Sequence, residues 1–133
     1  MPNKRRLNLE KYGITQRRYE EMRAFCLQYP EWQAKLKDIR SLRGVSMDRE
    51  VVQSGTVGNP TEKAALSSMI YTQKIEAVER ALKTVVGDEQ GIYEPLLLNI
   101  TRGVRYENIN IPISRKNFFM YRTAFFVNLD KII

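Results

Sequence analysis

The sequence predicts an all-α protein, a small helical domain with a long central helix and a C-terminal helix-turn-helix. Apolar residues in its patterned segments recur at spacings of three and four, the period of one helix face. Glycine and proline fall at the ends of those segments, where helices stop and start. The one stretch with strand character, Glu50-Val-Val-Gln, has no partner to pair with. At 133 residues the chain suits one domain with one core.

Residues 1–13 read as a basic N-terminal arm ending at Gly13. Residues 14–43 read as a helical hairpin. Thr15 is the expected N-cap of its first helix, which runs to about Gln28 with Tyr19, Met22, Cys26 and Tyr29 on one stripe. Pro30 suits the first turn of the second helix. There Trp32, Leu36, Ile39 and Arg43 follow at four, three and four, with Leu42 beside them, and Gly44 is the expected stop. Residues 44–59, GVSMDREVVQSGTVGN, lack a helical period and read as a linker loop. Connections of this length inside a compact domain tend to carry function or motion.

Residues 60–133 complete the single domain with a long helix and the C-terminal motif. Asn59 caps the long helix, Pro60 takes its first position, and Gly87 ends it. Tyr71, Ile75, Val78, Leu82 and Val85 form a narrow seam that fits either the Trp32 helix or a second subunit. Pro95 is expected to start a helix, LLLNI, that closes at Gly103. A short helical turn and a proline-limited turn follow, and Ser114 caps the last helix. Phe118, Tyr121, Phe125, Leu129 and Ile132 form its core stripe, with Arg115 and Arg122 on the border. This succession is the layout of a helix-turn-helix.

Charge points the same way. The chain carries 22 Lys and Arg against 15 Asp and Glu, a net charge of +7, which favours polyanionic partners through counterion release. Residues 1–48 hold eleven cations and six acids, and Ile111–Leu129 holds Arg115, Lys116 and Arg122 with no acid. A recognition helix meets DNA near its N-terminus, where free N–H groups and the positive dipole end face phosphate. Asn117 can pair with an adenine edge and an arginine can fork onto guanine. Arg105, Arg115, Lys116, Asn117, Phe119 and Arg122 are therefore the candidate DNA-binding residues.

Enzymatic chemistry has little to work with. The chain has no histidine, the usual general base and commonest metal ligand. It has no glycine-rich phosphate loop. Its single cysteine, Cys26, falls on an apolar stripe and reads as a buried thiol. The expectation is a non-enzyme with no cofactor and no catalytic or metal-binding residues. No apolar run approaches the roughly 20 residues that span a bilayer, so a cytoplasmic location with no membrane partner is expected.

In order along the chain come Arg-Tyr-x-x-Met, YPEW, a glycine-containing linker, NPTEKAAL, KIEAVERAL and LLLNITRGVRYENINIPISRKNFFMYRTAFFVNL. This order, from about Tyr19 to Leu129, resembles the RinA-type late transcriptional activators of phages and prophages of Gram-positive bacteria. Their C-terminal part is similar to the helix-turn-helix of sigma factors. Pro112 departs from the small residue and glycine of many such turns. The resemblance implies a DNA-binding activator in the host cytoplasm, with Arg115, Lys116, Asn117 and Arg122 in its recognition helix.

Three function classes fit these observations. One is a sequence-specific regulator, monomeric or homodimeric, acting on double-stranded DNA with RNA polymerase as a further partner. Another is a phage DNA-packaging recognition subunit of the small-terminase kind, built as a ring. The third is a helical protein-binding module acting on host polymerase or another host protein, with Phe119 and Phe126 as an exposed docking patch.

Overall fold

The computed structural model describes residues 9–48 and 60–133, and among them the protein is all-α. Its helices are α1 (Gln16–Leu27), α2 (Tyr29–Asp48), α3 (Pro60–Val86), α4 (Gln90–Arg102) and α5 (Arg115–Ile132). Single 3-10 turns occupy Glu10–Tyr12 and Tyr106–Asn108. The central helix α3, 27 residues long, packs against α2 on one side and α5 on another, and α4 closes the bundle against α1. No described helix is long and apolar enough to cross a membrane.

Capping chemistry accounts for most of the boundaries. The Thr15 hydroxyl accepts the Arg18 N–H at 3.1 Å to open α1, and the Ser114 hydroxyl accepts the Asn117 N–H at 3.2 Å to open α5. Each satisfies a donor that the first turn otherwise leaves free. Gly87 and Gly103 end α3 and α4 at φ +71° and +70°, the left-handed geometry that costs glycine least.

Three expected boundaries require correction. The basic arm does not extend to residue 13: Leu9 and Ile14 are buried and bracket the Glu10–Tyr12 turn, which fastens this segment to the core. Residues 1–8 lie outside the described residues. The helix α2 does not stop at Gly44 but runs on to Asp48. Glycine inside a helix costs only about 1 kcal/mol relative to alanine, so Gly44 by itself is a weak stop. The linker expected at 44–59 thus begins in helix, and its remainder, 49–59, lies outside the described residues. Pro95 does not start α4, which begins at Gln90 and carries Pro95 inside it.

The core draws on every helix. Met22 and Cys26 come from α1, Tyr29 and Trp32 from α2, Val78, Ala81 and Leu82 from α3. Leu96 and Ile100 come from α4, and Phe118, Phe125, Phe126 and Leu129 from α5. The α3 seam therefore lies within the chain: Val78 and Leu82 are buried, with Tyr71, Ile75 and Val85 packed against the core. Burial pushes the Cys26 thiol up to about 12, so it is neutral and sealed. The Tyr29 hydroxyl donates to Glu79, joining α2 to α3. At the periphery Arg18 Nε meets Asp130 Oδ1 at 2.7 Å, joining α1 to the last turn of α5. Leu82 has no exposed surface, so Leu82→Ala should lose roughly 2–5 kcal/mol in urea unfolding. A loss well under 1 kcal/mol would place the seam outside the core.

Candidate nucleic-acid interface

Between α4 and α5 lie residues 103–114, with one 3-10 turn at Tyr106–Asn108. The short helical turn expected between the two helices is this 3-10 turn. Three side-chain contacts hold this connection in shape. Asn99 Nδ2 donates to the Val104 carbonyl at 2.8 Å, fixing the exit from α4. The Tyr106 hydroxyl donates to the Ile113 carbonyl at 2.7 Å, drawing the two ends of the loop together. The Tyr106 ring then lies 5.0 Å from that of Phe118, which seats the loop on the core.

Onto this frame the chain places a cationic cluster. The Arg115 guanidinium lies over the Tyr106 ring at 5.4 Å and the Phe119 ring at 5.8 Å. It also donates to Glu107 at 2.9 Å. That bond, with a smaller contribution from nearby Arg105, holds the Glu107 carboxyl below its ordinary range. Glu107 and Arg115 therefore meet although eight positions apart in sequence, with Arg105 near enough to act on the same carboxyl. Lys116 and Asn117, the next residues of α5, are exposed. So is Met120, with 60% of its surface open. The Arg115–Glu107 pair is exposed on both sides, and such pairs contribute about 0–1 kcal/mol. Arg115 can exchange its carboxylate for a phosphate at little cost.

The six candidate residues thus divide. Arg105, Arg115, Lys116 and Asn117 are exposed around the first turn of α5. Phe119 is half-buried, edge-on to Phe118 at 5.1 Å, and serves as a platform under Arg115. Arg122 is turned inward. Its Nε donates to Asn99 Oδ1 at 2.9 Å and its Nη1 to the Tyr19 hydroxyl at 3.0 Å, with the guanidinium 5.2 Å from the Phe126 ring. It braces α5 against α1 and α4. Phe126 has no exposed surface and cannot form a docking patch with Phe119. The expectation of an exposed pair fails because Phe126 packs edge-on against both Tyr19 and Phe125.

Asn99 escaped the sequence reading. Its amide anchors the loop through one end and receives Arg122 through the other, two partners that no local pattern announces.

Comparison with protein-family models, curated proteins and solved structures finds no match to this chain.

Proposed function

We propose that the protein is a sequence-specific DNA-binding regulator, of the activator class its sequence resembles. In this reading it meets DNA with the first turn of α5 and the adjoining 3-10 turn. The observation that carries the reading is the cluster of Arg105, Arg115, Lys116 and Asn117, exposed together on a frame fastened by Asn99, Tyr106 and Phe118. Cations held on a packed frame engage phosphate without first being ordered, so less affinity is lost to side-chain entropy. The open N–H groups and dipole of the α5 N-terminus add to the attraction.

Roles within the cluster follow from chemistry. Arg105, Arg115 and Lys116 contact phosphate, whereas Asn117 presents both a donor and an acceptor to a base edge. Met120, one turn further on, offers apolar contact to a thymine methyl. Arg122 takes no part in contact and keeps the helix in place.

The test is a titration of DNA fragments selected from a random pool, at two salt concentrations. Lys116→Ala should weaken all sequences alike and flatten the salt slope by about one unit. Asn117→Ala should cost roughly 1–3 kcal/mol on the selected sequence and little on random DNA. Glu107→Gln removes the carboxylate competing for Arg115 and should tighten binding to every sequence. Selection that enriches no fragment, or variants indistinguishable from wild type, would overturn the proposal.

A further inference from the structure

The long helix α3 carries a second seam that no described residue covers. Positions 62, 66, 69, 73, 76 and 80 follow spacings of four, three, four, three and four, so they line one face. Glu62, Leu66, Met69, Gln73, Glu76 and Arg80 are all exposed. Leu66 and Met69 show 55% and 51% of their surface, and Ile70 beside them shows 41%. This face lies away from the seam of Val78 and Leu82 that joins the core. Large apolar side chains bare on consecutive turns mark a contact surface.

The charge order along the face selects its occupant. The acid Glu62 stands at one end, the base Arg80 at the other, and the apolar pair lies between. Neither Glu62 nor Arg80 has an ion-pair partner among the described residues. A second copy running parallel would set Glu62, Glu76 and Arg80 each against itself, an arrangement of like charges. A second copy running antiparallel, with its two-fold axis at Tyr71, sets Glu62 against Arg80, Leu66 against Glu76 and Met69 against Gln73. Each pairing then occurs twice, as two-fold symmetry requires. Leu66 packs on the methylene stem of Glu76, and Met69 on that of Gln73.

A groove lies beside Arg80. Shallow and about 520 Å³ in volume, it opens between α3 and α4, lined by Glu76, Glu79, Arg80, Lys83, Thr84 and Tyr93. In the antiparallel register it receives the first turn of the second copy's α3, where Lys83 joins Arg80 in facing Glu62. We infer that α3 docks on a second copy of this chain through Glu62, Leu66, Met69, Gln73, Glu76 and Arg80, the two helices antiparallel. This interface is independent of the DNA reading.

Sedimentation equilibrium of the full chain across a concentration series tests it, with circular dichroism confirming that each variant folds. Wild type should show a concentration-dependent monomer–dimer equilibrium, and Met69→Asp should be monomeric throughout. Glu62→Arg and Arg80→Glu should each weaken the dimer by about tenfold or more, since each creates two like-charge contacts. The double variant E62R/R80E should restore it, because the pairs reform with their signs exchanged. A wild type that stays monomeric at every concentration would overturn the inference, leaving the face to another protein. So would a dimer that survives Met69→Asp, or a double reversal that restores nothing.

Discussion

Phe118→Ala should cost the protein roughly 3–5 kcal/mol, the range for deleting a buried aromatic ring. Phe118 has no exposed surface and lies one turn into α5, where three features meet. Its ring packs on Tyr106 at 5.0 Å and on Phe119 at 5.1 Å, and its N–H closes the first turn onto the Ser114 carbonyl at 2.9 Å. The backbone bond survives the substitution, but both aromatic neighbours lose the surface they rest on. Tyr106 seats the loop and Phe119 underlies Arg115, so the damage reaches the cationic cluster as well as the core. Urea unfolding should show a lowered midpoint. The surviving folded molecules should bind DNA less tightly than wild type. A loss under 1 kcal/mol would mean that the loop is not seated on Phe118.

Arg122→Ala should cost about 2–3 kcal/mol, the scale of losing hydrogen bonds made by a charged donor. The variant leaves Asn99 Oδ1 and the Tyr19 hydroxyl without their partner and removes a cation from the Phe126 face. Arg122→Lys should recover little, because an ammonium cannot fork between two acceptors as the guanidinium does. DNA binding by the folded fraction should keep the wild-type salt slope. A variant of undiminished stability with a flattened slope would return Arg122 to the DNA.

Arg122 also shows where sequence reasoning went astray. The spacing from Phe118 to Arg122, Phe125 and Leu129 is four, three and four, so helical geometry alone puts Arg122 inside the stripe. The reading placed Arg122 on the border and Tyr121 in the stripe, and Tyr121 does pack against the core. The partners that make an inward arginine tolerable, Tyr19 and Asn99, come from α1 and α4 and leave no local trace. Charge and periodicity conflicted, and tertiary hydrogen bonds decided in favour of periodicity.

Boundaries set by local chemistry were legible. Thr15 and Ser114 cap through their own hydroxyls, and Gly87 and Gly103 end helices through their own φ. Boundaries read from a lone glycine or proline were not. Gly44 looks like a stop, yet α2 runs past it to Asp48. Pro95 looks like a start, but five helical residues precede it from Gln90. The candidate site was legible in half: Arg115, Lys116 and Asn117 follow from a capped, acid-free helix start. The meeting of Glu107 and Arg115 depends on how the loop folds back, which Tyr106 and Asn99 hold in shape.

The central claim is that the first turn of α5, with Arg105, faces DNA. Amide chemical-shift mapping of the ¹⁵N-labelled protein, titrated with a selected DNA duplex, tests it most directly. The largest perturbations should fall at Arg105, Arg115, Lys116, Asn117 and Met120, with Arg122 and its Tyr19 and Asn99 partners shifting little. Perturbations centred instead on the basic residues of α1, Arg17 and Arg23, or no perturbation at all, would contradict it.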